Sequence, residues 1–393
     1  MERRDAAPTG CERLRRSALM ERELISWLRE HLPPHPLLRL GLGDDAAVLR
    51  MAGVEECVLT VDLLTDHVDF ELSNVDPRRV GRKALAANLS DLAAMAARPL
   101  AGVVALALPR PGTTNHIFHH TGQVADSVPL LRRSSAERDP RPDTACKQAV
   151  AHEIAHGGER CGLELAVALY EGMLPLAEQY DLAIAGGDTN SWDGPLVISI
   201  TLLGAVTPRG PLRRDGAKPG DRIVVTGSFG GSLLGRHLDF EPRVREALYL
   251  HEQYELHAGI DVSDGLSLDL AHVLEESHCG AVINTDAVPV ADDARRLAEQ
   301  RADGSTPLSH ALSDGEDFEL ILAVPADEAR RMLHDQPLAG DCPNFRVSGN
   351  GTVPFDAAVP LTDIGEFVAE PGLWQIDGSG LRRPLVPQGW QHM

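Results

Sequence analysis

The sequence predicts an α/β (α+β) protein of two domains. Its 393 residues exceed what one ordinary hydrophobic core supports, and the 43% that are hydrophobic suffice for two globular units. Apolar segments of strand length alternate with segments of helical periodicity along most of the chain. The composition changes at 208–220, where basic residues stand among prolines and glycines. We therefore predict an N-terminal domain at 1–206 and a C-terminal domain at 207–393, with a solvated basic linker as the simpler explanation of 208–220.

The elements of the N-terminal half are predicted from apolar runs and capping residues. Val58–Leu64 is an apolar strand that Asp62 interrupts. Asp76 followed by Pro77 is typical of a helix N-cap with a first-turn proline, and the residues after it predict a helix over Val80–Ala97. The later elements predicted in this half are a strand at Gly102–Pro109, a helix at Leu163–Tyr180, a strand at Leu182–Ala185 with a turn at Gly186–Thr189, and a strand at Pro195–Val206.

In the C-terminal half, a predicted strand at Asp221–Gly227 leads into Gly230 and Gly231, and a helix is predicted from Ser232. The chain has neither a Walker loop nor a clean Gly-x-Gly-x-x-Gly pattern. Nucleotide binding would therefore use other contacts.

Two further segments of this half place acids next to regular structure. Leu266–Leu274 is predicted as a helix whose N-terminus is capped by Ser263 or Asp264. Ser313–Leu320 places several acids at the start of a strand predicted over Phe318–Val324.

The charge balance limits the partners. A formal net charge of -21 at pH 7 argues against binding a nucleic-acid backbone through a broad basic surface. It leaves room for anionic small molecules, because Mg²⁺ bridges protein carboxylates to phosphates.

Nothing in the sequence predicts export or membrane insertion. There is no apolar run of about eighteen residues, and Met1–Met20 is charged where a signal peptide would be apolar. The six cysteines are scattered without a Cys-x-x-Cys pair, which argues against a disulfide framework or a zinc ribbon. We expect a cytoplasmic protein with reduced thiols and no membrane partner.

The segment 114–160 is predicted to be a surface insertion, because it is rich in His, Arg, Ser, Asp and Pro and has little periodicity. We expect its deletion to leave activity largely intact. It contains His152-Glu-Ile-Ala-His156, which on a helix would place two imidazoles on one face for zinc, with Glu153 as general base. A zinc metallopeptidase is therefore an alternative function, although the downstream glycine and histidine of the extended motif are absent.

Acidic residues recur beside apolar segments throughout the chain. Asn88 and Asp91 are about one turn apart on the predicted helix, so they share a face. Neighbouring carboxylates repel each other unless a cation neutralises them, so the recurrence predicts a site for a divalent metal such as Mg²⁺. The aspartates of this pattern are Asp44, Asp45, Asp62, Asp91, Asp188, Asp261 and Asp264.

In order and spacing, these motifs resemble those of the thiamine-monophosphate kinase family. The resemblance spans nearly the whole chain outside the insertion and rests on Gly43–Asp45, Asp62, Lys83–Met95, Gly186–Thr189, Gly216–Asp221, Asp261–Gly265 and Gly315–Glu319. It implies the two-domain fold of the aminoimidazole ribonucleotide synthetase-like superfamily, with ATP bound without a Walker loop and N-terminal sheets that combine in a homodimer. The implied reaction is Mg²⁺-dependent transfer of the γ-phosphoryl group of ATP to thiamine monophosphate, which gives thiamine diphosphate and ADP.

The resemblance also implies roles for individual residues. It assigns Asp45, Thr60, Asp62, Asp91, Asp188, Asp261 and Asp264 to Mg²⁺, Gly187, Asp188, Arg214 and Ser263 to ATP, and Asp69, Glu316 and Trp390 to the thiamine substrate. No residue is assigned to general acid or base catalysis, because a phosphate monoester is already anionic near neutrality. This chain departs from the family at three positions. Val61 precedes the strand aspartate where the family commonly has threonine, and Asp69 stands where a histidine is usual, with His67 nearby. Pro387 stands near the family's C-terminal aromatic contact, and Trp390 is the nearest ring.

Two other functions stay open at this point. One is another ATP-dependent synthetase of the same superfamily that acts on a different small phosphorylated substrate, although we find no persuasive Cys or Lys set for such chemistry. The other is an ATP-binding protein without turnover. A product assay with ATP, Mg²⁺ and thiamine monophosphate separates them from the kinase.

Overall fold

The computed structural model describes residues 57–110, 160–301, 303–338 and 358–390, with the short stretches 27–28, 30–33, 35–36, 38–40, 48–49, 345–346 and 352–353. The predictions for Asp45, for His152, Glu153 and His156, and for all but the last residue of 114–160 lie outside these ranges.

A four-stranded sheet forms the centre of the N-terminal half, with the strand order β3-β6-β4-β5. Its strands are β3 (Cys57–Thr65), β4 (Arg98–Pro109), β5 (Ala183–Trp192) and β6 (Val197–Ala205). β4 and β5 run parallel, whereas β6 is antiparallel to both β3 and β4. A separate antiparallel pair precedes this sheet, formed by β1 (Leu38–Leu40) and β2 (Val48–Leu49).

Two helices, α1 (Pro77–Ala94) and α2 (Arg160–Gln179), pack on the N-terminal sheet and against each other. Glycines allow their close approach, since a Cβ added at Gly81 would lie 2.0 Å from the carbonyl oxygen of Leu169. The buried side chains of the sheet and both helices belong to one apolar core.

A seven-stranded sheet forms the centre of the C-terminal half, in the order β15-β14-β9-β13-β7-β10-β8. Its strands are β7 (Arg222–Thr226), β8 (Ala258–Asp261), β9 (Gly280–Asn284), β10 (Leu320–Val324), β13 (Leu361–Val368), β14 (Gly372–Ile376) and β15 (Arg383–Pro384). The short strands β11 (Phe345–Arg346) and β12 (Thr352–Val353) form a separate antiparallel pair.

The helices of this half are α3 (Val244–Gln253), α4 (Leu266–Ser277), α5 (Asp292–Arg301), α6 (Pro307–Ser313) and α7 (Ala326–Asp335). Helix α1 of the N-terminal half also contacts α3 and β8, so it lies at the junction between the two sheets. No helix in the described part of the chain is long and apolar enough to cross a bilayer.

The prediction of the first helix is confirmed at its start. The Asp76 carboxylate accepts a hydrogen bond from the Arg78 N–H at 3.0 Å, and Pro77 occupies the first turn. The strand predicted at Val58–Leu64 is also confirmed as β3.

Three local predictions are wrong. Gly186–Thr189 is not a turn but part of β5, because its residues continue the parallel pairing with β4. Ser232 begins only a 3-10 turn, since Gly231 and Gly235 have φ of 72° and 132° and interrupt regular helix.

The third concerns the cap of α4. Its N-cap is Gly265, and neither Ser263 nor Asp264 caps it through a side chain. Instead, Asp269 in the first turn of α4 accepts hydrogen bonds from the backbone N–H groups of Asp264 and Gly265 at 3.0 and 2.9 Å. The side chain that satisfies the backbone N–H groups at this helix end therefore lies inside the helix, whereas the prediction placed it before the helix.

Candidate active site

Strand β3 and helix α1 face each other through polar side chains. The Thr60 hydroxyl donates a hydrogen bond to Asp91 Oδ2. One turn earlier on α1, the buried Asn88 accepts a hydrogen bond from the Asp62 N–H at 3.2 Å. Asn88 and Asp91 therefore share the face of α1 that meets β3, as predicted.

The C-terminal half adds a carboxylate to this group from the end of β8. Asp261 is 3% exposed, and its Oδ2 accepts a hydrogen bond of 2.6 Å from the Ser90 hydroxyl on α1. Burial raises the pKa of Asp261, against the Ser90 hydrogen bond and the positive charge of Arg214. Thr60, Asp62, Asp91 and Asp261 are thus brought together where the two halves meet.

The electrostatics of this carboxylate cluster are unfavourable without a cation. Burial raises the pKa of Asp91 to about 8, helped by the negative charges of Asp261 and Asp62 and opposed by the Thr60 hydrogen bond and by Arg214. Partly buried carboxylates that repel one another suit a hard divalent cation such as Mg²⁺. The oxygen donors of these residues therefore match the chemistry of the predicted metal.

A second acidic group continues the cluster beyond β8. Asp264, Asp269 and His272 each offer a ligand atom, and these atoms lie within 4.8 Å of one another. The pKa of Asp269 is raised to about 8, mainly by burial and then by the negative charge of Asp261. The segment from the end of β8 to the first turn of α4 therefore concentrates carboxyl groups on the C-terminal side of the junction.

A cavity of about 440 Å³ opens beside Thr60 and Asp91 of the carboxylate cluster. The N-terminal half contributes Thr60 and Asp91 to its wall, and the segment that connects the halves contributes Arg213 and Arg214. The cavity therefore combines carboxylates that suit a cation with guanidinium groups that suit a phosphate. Arg214, which is predicted to contact ATP, lines the same cavity as Thr60 and Asp91, which are predicted to bind the metal.

Lys83 and His237 hold the Glu316 carboxylate at the same junction. Lys83 of α1 forms an ion pair with Glu316 Oε1, and His237 Nδ1 lies 2.9 Å from Glu316 Oε2. The backbone N–H of Glu316 donates to the carbonyl oxygen of Ser263 at 2.7 Å, so Glu316 lies beside the Asp261–Gly265 loop. Burial opposes ionisation of Glu316, but the hydrogen bond with His237 and the charge of Lys83 outweigh it and lower the pKa of this carboxyl.

The other acids of the Gly315–Glu319 motif stabilise the surrounding loops. Asp317 accepts hydrogen bonds from the Gly230 N–H at 2.9 and 3.0 Å, and Glu319 binds the Arg243 guanidinium at 2.6 and 2.8 Å. Of this motif, Glu316 is the acid directed to the N-terminal half.

The other two predicted substrate contacts lie close to these loops. The Asp69 carboxylate accepts a hydrogen bond of 2.6 Å from the Thr65 N–H and so closes its own turn. The backbone N–H of Trp390 donates to the carbonyl oxygen of Asp264 at 2.9 Å, and 53% of Trp390 is exposed. His67, the alternative to Asp69, lies 3.1 Å from Glu71.

Gly187 and Asp188 are not brought to the cluster within one chain. The register places Gly187, Val104, Ile200 and Asp62 in one row across the sheet. Three strand spacings, or about 14 Å, therefore separate Gly187 from Asp62. Asp188 is in the next row and lies on the opposite face of the sheet from Asp62.

Four residues that contact predicted site residues were not themselves predicted. They are Lys83, Ser90, His237 and Asp269. A signal for two of them was present, because Lys83 and Ser90 interrupt the apolar residues of α1 and both are buried. No sequence signal marked His237, because its partners Lys83 and Glu316 are remote in sequence. None marked Asp269 either, because Asp264, from whose N–H it accepts a hydrogen bond, was itself predicted to be the helix cap.

A second cavity of about 460 Å³ lies elsewhere at the junction, lined in part by Arg98, Arg209 and Arg245. None of the predicted site residues lines it. We therefore place the candidate active site at the carboxylate cluster.

Comparison with known proteins identifies the family. Residues 43–128 and 145–206 match the N-terminal domain of AIR synthase related proteins, and residues 218–340 match the C-terminal domain. The chain is 36% identical over 380 residues to the thiamine-monophosphate kinase of Rhodopirellula baltica, with 95% of this chain and 97% of that protein covered. The chain belongs to the thiamine-monophosphate kinase family.

Other members of the thiamine-monophosphate kinase family are also similar to this chain. The enzyme of Escherichia coli K12 is 31% identical, with 85% of each chain covered. The crystal structure of the thiamine-monophosphate kinase of Stenotrophomonas maltophilia K279a has a TM-score of 0.62 and 29% identity, over 91% of this chain and 95% of that one. The structure described as AaThiL complexed with AMPPCP and TMP has a TM-score of 0.60 at 21% identity, over 99% of this chain and 100% of that one, and supports the fold.

Proposed function

We propose that this chain transfers the γ-phosphoryl group of ATP to thiamine monophosphate and produces thiamine diphosphate and ADP in an Mg²⁺-dependent reaction. The observation that carries the proposal is the convergence of Thr60, Asp62, Asp91 and Asp261 beside a cavity that also contains Arg214. Membership of the thiamine-monophosphate kinase family supports the same substrates. A structure of that family holds AMPPCP and TMP.

The chain contributes positioning and charge neutralisation. The acceptor is a phosphate monoester that is already ionised near neutrality, so no side chain has to remove a proton from it. Mg²⁺, when bound by Asp62, Asp91 and Asp261, neutralises charge on the phosphates. Arg214 stands at the same cavity as a second source of positive charge.

Glu316 belongs to the acceptor side of the site in this proposal. Thiamine monophosphate carries a cationic thiazolium ring and an aminopyrimidine that donates hydrogen bonds. A carboxylate that stays ionised suits both features. Asp69 and Trp390 lie on loops that border the same region, which supports their assignment to the substrate.

We further propose that the active form is a homodimer. β3 and β5 are the edges of the described four-stranded sheet, and Leu59, Val61 and Leu63 of β3 are 69%, 61% and 62% exposed on its outer face. An unpaired edge beside an exposed apolar face favours association with another chain. Pairing β3 of one copy with β5 of a second brings Asp188 to within one strand spacing of the metal-binding strand. The distance between Asp188 and Asp62 within one chain supports this arrangement.

Two more general features complete the proposal. The domain boundary falls between 206 and 207, after the last strand of the four-stranded sheet and before the first strand of the seven-stranded sheet. The cytoplasm is the compartment, because the scattered cysteines and the metabolite substrates fit a reducing environment that contains ATP.

The test is a product assay. Purified protein is incubated with ATP, Mg²⁺ and thiamine monophosphate, and thiamine diphosphate is separated and quantified by chromatography. A parallel reaction with thiamine in place of thiamine monophosphate checks that the acceptor is the phosphate. We expect product only with thiamine monophosphate, and a folded protein that forms no thiamine diphosphate would rule the proposal out.

A further inference from the structure

Lys83 is a buried lysine that contacts three polar groups. It is 1% exposed on helix α1. Its Nζ donates to the carbonyl oxygen of Asp69 at 2.6 Å, pairs with Glu316 Oε1, and lies 3.0 Å from His237 Nδ1. Burying an ammonium group is costly unless acceptors such as the Asp69 carbonyl oxygen and the Glu316 carboxylate satisfy it. The position therefore needs a cation with several donors.

The partners of Lys83 come from both halves of the chain. Asp69 lies on the turn after β3, whereas in the C-terminal half His237 lies on a 3-10 turn and Glu316 on the loop before β10. Asp69 and Glu316 are 247 residues apart in sequence and are the two polar residues assigned to the thiamine substrate. One ammonium group thus fixes both sides of the proposed substrate pocket relative to each other.

The backbone at these partners is itself constrained. Glu316 has a φ of 53° and follows Gly315 with a φ of 72°. Non-glycine residues in this region are held by their surroundings, and such positions occur often at ligand-binding sites. Lys83 and His237 supply that constraint at the Glu316 side chain, and the Ser263 carbonyl supplies it at the backbone.

Contact between the halves does not depend on Lys83. Arg82, the neighbouring residue on α1, donates to the carbonyl oxygen of Phe240 at 2.6 Å and pairs with Glu241 at 3.1 Å. Arg79 pairs with Asp239 on the same segment. These two arginines join α1 to the C-terminal half without touching Glu316 or Asp69. The contacts of Lys83 differ because they include Asp69 and Glu316, the two polar residues that the proposed function assigns to the substrate.

We propose that Lys83 is a positioning residue for the acceptor substrate, which holds the Asp69 turn and the Glu316 carboxylate at the spacing that thiamine monophosphate requires. The inference rests on the proposed function, since it takes the acceptor from there. Lys83 acts through Glu316 and Asp69 and does not itself contact ATP. Its loss therefore weakens the acceptor side of the site and leaves the nucleotide side unchanged.

The experiment compares Lys83→Met with Arg82→Met as a matched control, because both remove one basic residue of α1 that bridges the halves. KM for thiamine monophosphate, KM for ATP and kcat are measured for each. We expect Lys83→Met to raise KM for thiamine monophosphate at least about tenfold, the effect of one lost charge-assisted hydrogen bond, with KM for ATP within about twofold of wild type. Arg82→Met is expected to leave both KM values near wild type.

Two further variants guard against misfolding. Lys83→Arg keeps the charge and is expected to recover part of the acceptor affinity. The double variant Lys83→Met/Glu316→Gln removes the carboxylate that Lys83 no longer neutralises, so it is expected to fold if Lys83→Met does not. It is compared with Glu316→Gln alone, and because Lys83 acts largely through Glu316, the two are expected to differ in KM for thiamine monophosphate by less than the wild-type protein and Lys83→Met do.

The outcomes separate the two proposals. Absence of thiamine diphosphate with the wild-type protein overturns the proposed function, and this inference with it. Wild-type turnover combined with an unchanged acceptor KM in Lys83→Met, or with an equal rise in Arg82→Met, overturns the positioning role alone. An equal rise in KM for ATP and for thiamine monophosphate also contradicts it, because that is the result of a general loosening of the two halves.

Discussion

The Ser90 hydroxyl donates a hydrogen bond of 2.6 Å to Asp261 Oδ2, and this contact joins helix α1 to the end of strand β8. Both residues are buried, at 0% and 3% exposure. A buried carboxylate depends on such donors, because water is not available to solvate it. Ser90 therefore stabilises a proposed metal ligand that belongs to the other half of the chain.

We expect Ser90→Ala to lower the free energy of unfolding by about 1–3 kcal/mol, because it leaves one oxygen of a buried carboxylate without its donor. Urea unfolding at neutral pH without added Mg²⁺ measures the change. Ser73→Ala, at an exposed serine in the turn before α1, is the control and is expected to stay within about 0.5 kcal/mol of wild type. A Ser90→Ala protein as stable as this control would show that the contact contributes nothing.

We expect Asp91→Asn to reduce turnover strongly and to raise the Mg²⁺ concentration needed for half-maximal activity. The substitution keeps the shape of the side chain but removes one negative charge from the proposed metal ligands. A titration of activity with Mg²⁺ measures both effects. Asp292→Asn is the control, since the Asp292 side chain is 97% exposed at the start of α5. If Asp91→Asn titrates like the wild-type protein, Asp91 is not a metal ligand.

The same carboxylates predict how the stability of the metal-free protein depends on pH. The pKa of Asp91 is raised from 3.8 to about 8, mainly by burial and then by Asp261 and Asp62, so the folded state binds a proton more tightly than the unfolded state does. The stabilisation from this group is complete below about pH 4 and is lost as the pH rises through about 8.

We therefore expect the free energy of unfolding of the metal-free protein to fall between about pH 5 and pH 8, and to fall less in Asp91→Asn. Asp269, whose pKa is raised in the same direction, keeps part of the dependence in that variant. Added Mg²⁺ should reduce the fall in the wild-type protein, because a bound cation stabilises the ionised carboxylates. Chemical unfolding curves at several pH values, with and without Mg²⁺, measure these differences. A pH dependence that is identical in the wild-type protein and Asp91→Asn would contradict the assigned cause.

The sequence predicted the elements with strong local signals. Asp76 and Pro77 mark the start of α1 because capping is a contact between near neighbours, and β3 is recognisable as an apolar run despite Asp62. The turn predicted at Gly186–Thr189 failed for a non-local reason, because β4 supplies a parallel partner that continues the strand through two glycines. Glycine patterns alone do not reveal such a partner.

For the site, the sequence indicated which acids matter but not how they are partnered. Asp62 of β3, Asp91 of α1 and Asp261 of β8 were predicted as metal ligands from the recurrence of acids along the chain. The structure brings these three residues together. The contacts of Lys83 with His237 and Glu316 were not predictable, because they join helix α1 to segments that are 154 and 233 residues away in the sequence. The acids of the Gly315–Glu319 motif look alike in the sequence, and only their partners distinguish Glu316 from Asp317 and Glu319.

The last prediction concerns the proposed homodimer and uses two inactive variants. Asp62 and Asp188 lie about three strand spacings apart in one sheet, so the proposed pairing of β3 with β5 of a second copy is what brings them towards one metal site. We expect Asp62→Asn and Asp188→Asn each to be nearly inactive alone. When the two proteins are mixed, dissociated and reassociated, half of the dimers contain one copy of each, and one of the two sites in such a dimer has both aspartates intact. Activity should therefore return to about a quarter of the wild-type value. Refolding each variant by itself is the control and should restore nothing. Size-exclusion chromatography with light scattering establishes the dimer independently. A dimer in which the mixture stays as inactive as its components would place Asp188 in the same site as the Asp62 of its own chain, or outside the site altogether.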